Sequence, residues 1–544
     1  MNTFLDAKEA GMISTTELLR QGRKTEVWER YCGYLDYDIG QYMAVQRKLL
    51  GEQLARASSC ELWSHIMGGK KPKDAEEFRK MVPLTTYRDY APFLLTKNEA
   101  ALPTKAYTWV HTSGRSGEYD VKWIPYSREL YQAVGEAFLA AFIVAAAGAK
   151  GDVQLREGMK FPYLLAPPPY ISGVITESLL EAFPFTVLPE LKLALEMGFQ
   201  ERITSAFECA MAEGLDFFWG MTSILMKLGE SFGEPAGGKR RLPRNPKALF
   251  RIGKAVIRAA LEGRPLMPKD IWKMKGAICG GMDTTILKDK VAKLWGTVPM
   301  EGYGCTEFGA IAFQDWSREL LTFYPHMNFW EFITERDYAK YVKDPSFIPE
   351  SLFMDEVKPG TDYVLVGTNF HGGSMLRYIL GDLVRIVSLE DEKSGIKLPQ
   401  MTFVSRIDGL IDIGGFTRLT EKTIWQAIEN TGIRYEDWTA RKETIDERPI
   451  LRVYLELKGG NEEAEAVAER IHSCLRALDA PYRDMEDLAS MKPLAVTLLT
   501  KGSFSRYFQE RQAAGADLAQ TKPTHVNASN TVIENLLRMS NWRI

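Results

Sequence analysis

The sequence is poor in several features, and each shortage removes a class of function. Its 544 residues hold six cysteines, Cys32, Cys60, Cys209, Cys279, Cys305 and Cys474, far apart and without a C-x-x-C pair. That spacing argues against a disulfide scaffold and a structural zinc site, and fits a reducing cytoplasm. Net charge is small, formally -3, so nothing pulls the whole chain toward nucleic acid or anionic lipid, and phosphate recognition must be local. The first residues, MNTFLDAKEAGM, lack the charged and then apolar layout of a signal peptide. The most apolar window, AFLAAFIVAAAG at 137–148, is shorter than the roughly 20 residues of a membrane span and reads as a buried helix. No Ser/His/Asp or Cys/His arrangement for nucleophilic catalysis is visible, and no G-x-x-x-x-G-K-[ST] loop. The expectation is a cytoplasmic protein with a small ligand, no nucleic acid and no membrane partner.

What is present begins with a composition of 45% hydrophobic and 26% charged residues, typical of globular proteins, on a chain long enough for about two to four domains. The stretch HTSGRSGEYDVKWIPYS, residues 111–127, stands out. Thr112, Ser113, Gly114, Ser116 and Gly117 permit close backbone approach and supply donors; Arg115 and Lys122 supply positive charge. That combination suits a phosphate, and the alternative is an ordinary Gly/Ser turn between strands. Its continuation, VKWIPYS, alternates like a strand, after which Ser127 is placed to cap a helix.

Along the chain, residues 1–60 read as a helical lead-in with Trp28, Tyr31, Tyr34 and Leu35 at helical spacing. Residues 74–94 read as a capped helix broken at Pro83 and a second helix from near Thr85. GLDFFWGMTSILMKLGE (214–230) gives a strand turning at Gly220 into a helix that Thr222 could cap. KMKGAICGGMD (273–283) repeats the pattern, a strand ending at Gly280 and Gly281 before a helix from Thr284. Two such units deliver glycine turns to one sheet edge, as in a doubly wound α/β sheet with a nucleotide crevice. Trp219, Met221, Cys279 and Met282 could line a pocket there or simply pack. Between these units the chain turns basic, with Lys239, Arg240, Arg241, Arg244, Lys247, Arg251, Lys254 and Arg258. Such a run is usually a solvated face, and could also meet the phosphates of coenzyme A.

TVPMEGYGCTEFGA (297–310) offers Tyr303 for stacking and Glu307 as a carboxylate for a hard metal. With the loop at 112–117 it resembles the adenylate-forming superfamily. EFRKMVPLTTYRDYAPFL, YPHMNFWEFI (324–333) and VKPGTDYVLVGTNFHGGSMLRYILGDLVRI (357–386) narrow the likeness. They resemble the acyl acid amido synthetases, the family of plant auxin- and jasmonate-conjugating enzymes and their bacterial relatives. The likeness runs from about residue 74 to 530.

The resemblance implies an α/β fold with a large adenylate-forming domain of mixed sheets and flanking helices, and a smaller mobile α+β C-terminal domain. The boundary is expected at Arg406 and Asp408, giving 1–405 and 406–544. It implies ATP and Mg2+, a carboxylic acid substrate and an amine or amino acid acceptor. By this likeness Thr112, Ser113, Gly114, Arg115, Ser116, Gly117 and Lys122 hold phosphates, Tyr303 and Gly304 flank adenine, and Gly280, Gly281 and Thr306 are counted among the cofactor-binding residues. Glu307 holds magnesium, Asp382 the ribose hydroxyls, Arg406 at the hinge is counted with the nucleotide-binding residues, and Lys522, in GADLAQTKPTHV, is the lysine brought to the reacting phosphate. Arg377 and Tyr378 are read as supporting the turn before Asp382. The chain departs from the family pattern in three places: Arg115 where Thr is usual, Cys305 where a small or hydroxyl residue is common, and Pro523, Thr524 and His525 after the lysine. His111, His326 and His371 are candidate bases by proximity in sequence. The alternatives are an acyl- or aryl-CoA ligase sharing the first step, and a non-catalytic nucleotide-binding protein of the same fold.

Overall fold

The structure is a computed structural model that describes residues 13–56, 60–112, 121–232, 245–281, 284–344, 346–413, 417–445, 448–459, 462–480, 482–483, 493–513 and 525–540. The chain divides into two compact units, Met1–Leu380 with Val384–Thr402, and Gly381–Leu383 with Phe403–Ile544.

The larger unit is built around the helix Arg128–Ala146. Ser127 caps it, its Oγ accepting from Leu130 N at 2.9 Å. Residues 137–146 of the apolar window expected to be a buried helix form the last part of this 19-residue element. Of its most apolar 18 residues, 83% lie inside the protein, so its apolar surface is spent on the core. Gly135 lets the helix Ile171–Ala182 approach: a Cβ there would stand 2.7 Å from the Ser178 carbonyl oxygen.

Against this helix lies a nine-stranded sheet. In chain order its strands are β1 (Phe217–Met221), β2 (Gly276–Gly280), β3 (Met300–Cys305), β4 (Gly309–Gln314), β5 (Leu321–Phe323), β6 (Asn328–Thr334), β7 (Thr361–Asn369), β8 (Tyr378–Ser388) and β9 (Gln400–Arg406). The spatial order is β6-β7-β8-β9-β5-β4-β3-β2-β1. β1, β2 and β3 are parallel, whereas β3–β4, β4–β5, β5–β9 and β6–β7 are antiparallel. The doubly wound pattern therefore holds only at the β1–β3 end. There the connections are long enough for helical crossovers; between β3 and β5 they are short turns, which permit only antiparallel neighbours.

Both strand–glycine–helix units form, with helices Thr222–Glu230 and Thr284–Trp295. Thr222 is not the cap, however: it occupies the first helical position after Met221. Its hydroxyl instead bonds Thr284 Oγ1 at 2.6 Å, and Thr284 Oγ1 in turn donates to Gly281 O at 2.9 Å. A buried hydroxyl bridge thus joins the starts of the two helices. The N-terminal helices Thr15–Arg20, Lys24–Cys32 and Ile39–Arg56 form as the periodicity predicts, with Trp28, Tyr31, Tyr34 and Leu35 buried. Asp74 caps Ala75–Met81, and a Thr86/Asp89 capping box starts Tyr87–Leu94.

The smaller unit is α+β. Strands Tyr435–Ile445 and Arg448–Leu457 are antiparallel, and Leu494–Leu499 runs parallel to the second. Helices Glu421–Asn430 and Ala464–Leu478 accompany them. The C-terminal segment contains two further helices, Ser503–Ala513 and Asn530–Met539. These bury Phe504, Ile533 and Leu536 with Tyr454 and Leu499; their apolar positions are spaced for one helix face, and the charges between them mask that face in sequence.

Candidate functional site

The loop following His111 stands on a short antiparallel hairpin, Thr108–His111 with Trp123–Tyr126. Its neck is closed by Thr112 and Lys122: Thr112 N donates to Lys122 O at 3.1 Å, and Lys122 N donates to Thr112 Oγ1 at 3.2 Å. The Lys122 ammonium lies 5.6 Å from the centroid of the Tyr87 ring. Ser113, Gly114, Arg115, Ser116 and Gly117 lie outside the described residues. His111 serves the stem. Its ring sits between Trp123 and Tyr170, centroids 4.9 and 4.5 Å away, and its Nδ1 is 2.8 Å from the Thr112 carbonyl.

The second part is the end of β3 and the turn after it. The β3–β4 register shifts at Tyr303/Gly304. Only glycine suits position 304, because a Cβ would come within 2.4 Å of Gly309 O. Tyr303 and Thr306 are half-buried. Tyr126, at the base of the hairpin, donates its hydroxyl to Thr306 O at 3.1 Å. Burial pushes this phenol well above its ordinary range, and Cys305 and Glu307 add to the effect, so it remains a neutral donor. Glu307 is 8% exposed. Its backbone carbonyl accepts from Asn369 Nδ2 at 3.0 Å, and its Oε1 lies 3.5 Å from the Tyr378 hydroxyl. Gly280 and Gly281 close the neighbouring strand β2. Gly281 has φ +119° and accepts from Thr284 N, while Thr285 Oγ1 reaches Glu301 Oε2 on β3 at 3.2 Å.

The structure therefore brings the loop stem, Thr306 and Glu307 together through Tyr126, with Tyr378 at the carboxylate. Among the described residues no group of three or more His, Cys, Asp or Glu side chains could hold a metal alone. Glu307 is suited to be one protein ligand of a Mg2+ whose other ligands are phosphate oxygens and water, the usual arrangement for that ion.

In the smaller unit Asp382 is 5% exposed, and Arg406 Nη1 stands 3.5 Å from its Oδ1. Gly381 has φ +82°, a turn that a side chain would strain. The Asp408 side chain and Lys522 lie outside the described residues. Arg377 supports the turn by a buried ion pair with Glu331. Tyr378 does more than support, since its hydroxyl faces Glu307.

Two of the candidate bases are tied into the frame. His371 Nε2 donates to the His326 carbonyl at 2.6 Å, and the His371 carbonyl accepts from Ser127 Oγ at 2.5 Å. Burial depresses both imidazoles, His326 to about 4 with His371 adding to its shift. Trp219 and Cys279 are core: Trp219 packs on Phe138, Phe142 and Phe161, and Cys279 is fully buried. Met221 is half-buried at the end of β1, and Met282 lies outside the described residues. Sequence reading missed Tyr126 and Asn369. The available signal was a polar side chain, Tyr126 or Asn369, on each of two largely buried segments, WIPY and VGTNF.

Comparison with known proteins extends this geometry. The GH3 family N-terminal domain matches residues 36–183, the central domain 321–406 and the C-terminal domain 419–531, together more than half of the chain. The chain belongs to the GH3 family. A jasmonoyl–L-amino acid synthetase, GH3.5 of Oryza sativa subsp. japonica, is 26% identical over 231 residues, 39% of this GH3 chain and 38% of that protein. The jasmonoyl–L-amino acid synthetase JAR4 of Nicotiana attenuata is 25% identical over 281 residues, 48% and 45% of the two chains. The matched stretches thus span less than half the length of these relatives. Among solved structures, the GH3.15 acyl acid amido synthetase in complex with 2,4-DB superposes with TM-score 0.68 and 16% identity over 97% of both chains. A 2-hydroxyisobutyryl-CoA ligase superposes with TM-score 0.59 and 15% identity over 93% of both. This GH3 chain shares their fold, a large N-terminal unit and a smaller C-terminal one.

Proposed function

We propose that this GH3 chain is an ATP-dependent ligase that activates a carboxylic acid as its acyl adenylate and passes the acyl group to an amine, an amino acid being the acceptor class. The observation that carries the reading is family membership across all three domains, joined to a Glu307 held by Asn369 and facing Tyr378 beside the Thr112–Lys122 stem. In the first step a carboxylate oxygen attacks the α-phosphorus of ATP and pyrophosphate leaves. In the second the amine nitrogen attacks the acyl carbonyl, AMP leaves with the bonding pair, and the amine proton passes to solvent.

Chemistry of this kind needs positioning and charge stabilisation more than a protein nucleophile. In this reading Thr112, Lys122 and the loop at 113–117 hold the departing phosphates. Gly280, Gly281, Tyr303, Gly304 and Thr306 border adenine, Asp382 and Arg406 serve the ribose side, and Lys522 reaches the reacting phosphate. Bound Mg2+ would supply charge neutralisation at the phosphates, with Glu307 as its protein ligand. The domains act as 1–405 and 406–544. Six free thiols support a cytoplasmic setting.

Pyrophosphate release across a carboxylate library, with amino acids or coenzyme A as acceptors, tests the reading. Amide plus AMP is the expected product; a thioester without amide would replace it with the CoA ligase reading. Glu307→Gln should lower the rate by about a hundred- to a thousandfold with folding intact. Lys522→Ala with undiminished adenylation would remove that lysine from the mechanism.

A further inference from the structure

The helix Pro246–Leu261 presents its residues in an unusual sense. It is a well-formed helix: Asn245 accepts from Lys247 N at 2.9 Å and proline fills the first position. Its inward face consists of small residues, Ala248, Ala255 and Ala259, all buried. Its large apolar residues face out. Phe250 is 77% exposed, Ile257 63% and Leu261 84%, with Leu249 and Val256 beside them. Positions 249, 250, 256, 257 and 261 fall on one stripe of a helix.

Charge is segregated on the same exposed surface. Lys247, Lys254 and Arg258, at i, i+7 and i+11, run along one edge of the apolar stripe and are exposed. Arg251 is turned inward, donating to Ala210 O and Met211 O at 3.2 and 2.7 Å. The helix, PKALFRIGKAVIRAAL, contains no acidic residue. An exposed apolar stripe of this kind marks an interaction site. A second copy of the helix would bring no countercharge to the basic edge. An anionic bilayer supplies countercharge and apolar depth together.

We propose that Pro246–Leu261 lies in the plane of an anionic membrane surface, with Phe250, Ile257 and Leu261 entering the boundary between headgroups and acyl chains and the three cations meeting lipid headgroups. This differs from the sequence expectation of no membrane partner. The small net charge averaged away a local separation that becomes visible only once the helix direction is known.

The test uses the full chain and vesicles of phosphatidylcholine alone or with about one-third phosphatidylglycerol. The chain should sediment with the anionic vesicles, and salt should weaken the association. Removing the three cations (Lys247→Gln, Lys254→Gln, Arg258→Gln) should lower affinity by about a hundredfold. The variant Phe250→Ser, Ile257→Ser should lose binding with its thermal unfolding unchanged. Phe250→Trp should shift its fluorescence to the blue only with anionic vesicles, which reads the contact in a protein that keeps its apolar stripe. Failure of the unaltered chain to bind anionic vesicles overturns the proposal. So does binding that the serine variant retains, or a dimer that the serine variant dissociates without any vesicle binding.

Discussion

Two buried cations, one in each unit, are held in different ways. In the larger unit Arg377 uses its whole guanidinium: Nε and Nη2 donate to Glu331, Nη2 also to Ser351 Oγ at 2.9 Å, and Nη1 to the carbonyls of Arg79 and Val82. This network holds Arg377 at φ +44°, a strained backbone for a residue with a side chain. In the smaller unit His525 is bonded by Glu421 at 2.8 Å and Asp437 at 3.0 Å, with its ring stacked on Trp438 at 4.5 Å. Burial alone would lower the imidazole, but the bonds to Asp437 and Glu421 outweigh it and raise it to about 9. Arginine brings a permanent charge, whereas histidine brings one that pH can remove. Each cation stands near a proposed functional residue, Arg377 five before Asp382 and His525 three after Lys522. The two units therefore answer differently to pH.

The largest expected effect is on the permanent pair. Arg377→Met leaves Glu331 buried without its partner, and should destabilise the protein by about 3–5 kcal/mol in denaturant unfolding. A loss below about 1 kcal/mol would mean the network is dispensable. Next comes the titratable pair. Because the folded value of His525 lies above the ordinary 6.5, its stabilisation is complete below that pH and is lost as pH rises through about 9. The amount is on the order of 3 kcal/mol. Urea unfolding followed by tryptophan fluorescence should show this slope, and His525→Gln should flatten it. An unchanged slope in the variant would assign the pH response elsewhere. The smallest effect serves as a control: Ser127→Ala removes the cap of Arg128–Ala146 and the bond to the His371 carbonyl, and should cost about 1–2 kcal/mol with no pH dependence.

Much of this was legible in sequence where local rules decide. Ser127, Asp74 and the Thr86/Asp89 pair announce helix starts, and the runs DFFWG and GAICG announce buried strands. Thr222 misled because a hydroxyl after a strand looks like a cap, while its partner Thr284 lies 62 residues away. The site divides in the same way. Glu307 stood out beside Tyr303 and Gly304, but its setting depends on Tyr126, Asn369 and Tyr378, which long-range pairing alone brings to it. His525 appeared only as a departure from the family pattern. Its two acids come from residues 421 and 437, and no local spacing links them.

The central claim is that the carboxylate attacks the α-phosphorus of ATP. It is tested most directly by supplying an accepted carboxylic acid labelled with oxygen-18 in both carboxyl positions, together with ATP and an amino acid, and weighing the nucleotide product. The account predicts AMP carrying one labelled oxygen, with an amide retaining the other. ADP with labelled inorganic phosphate, or AMP without label, would contradict it.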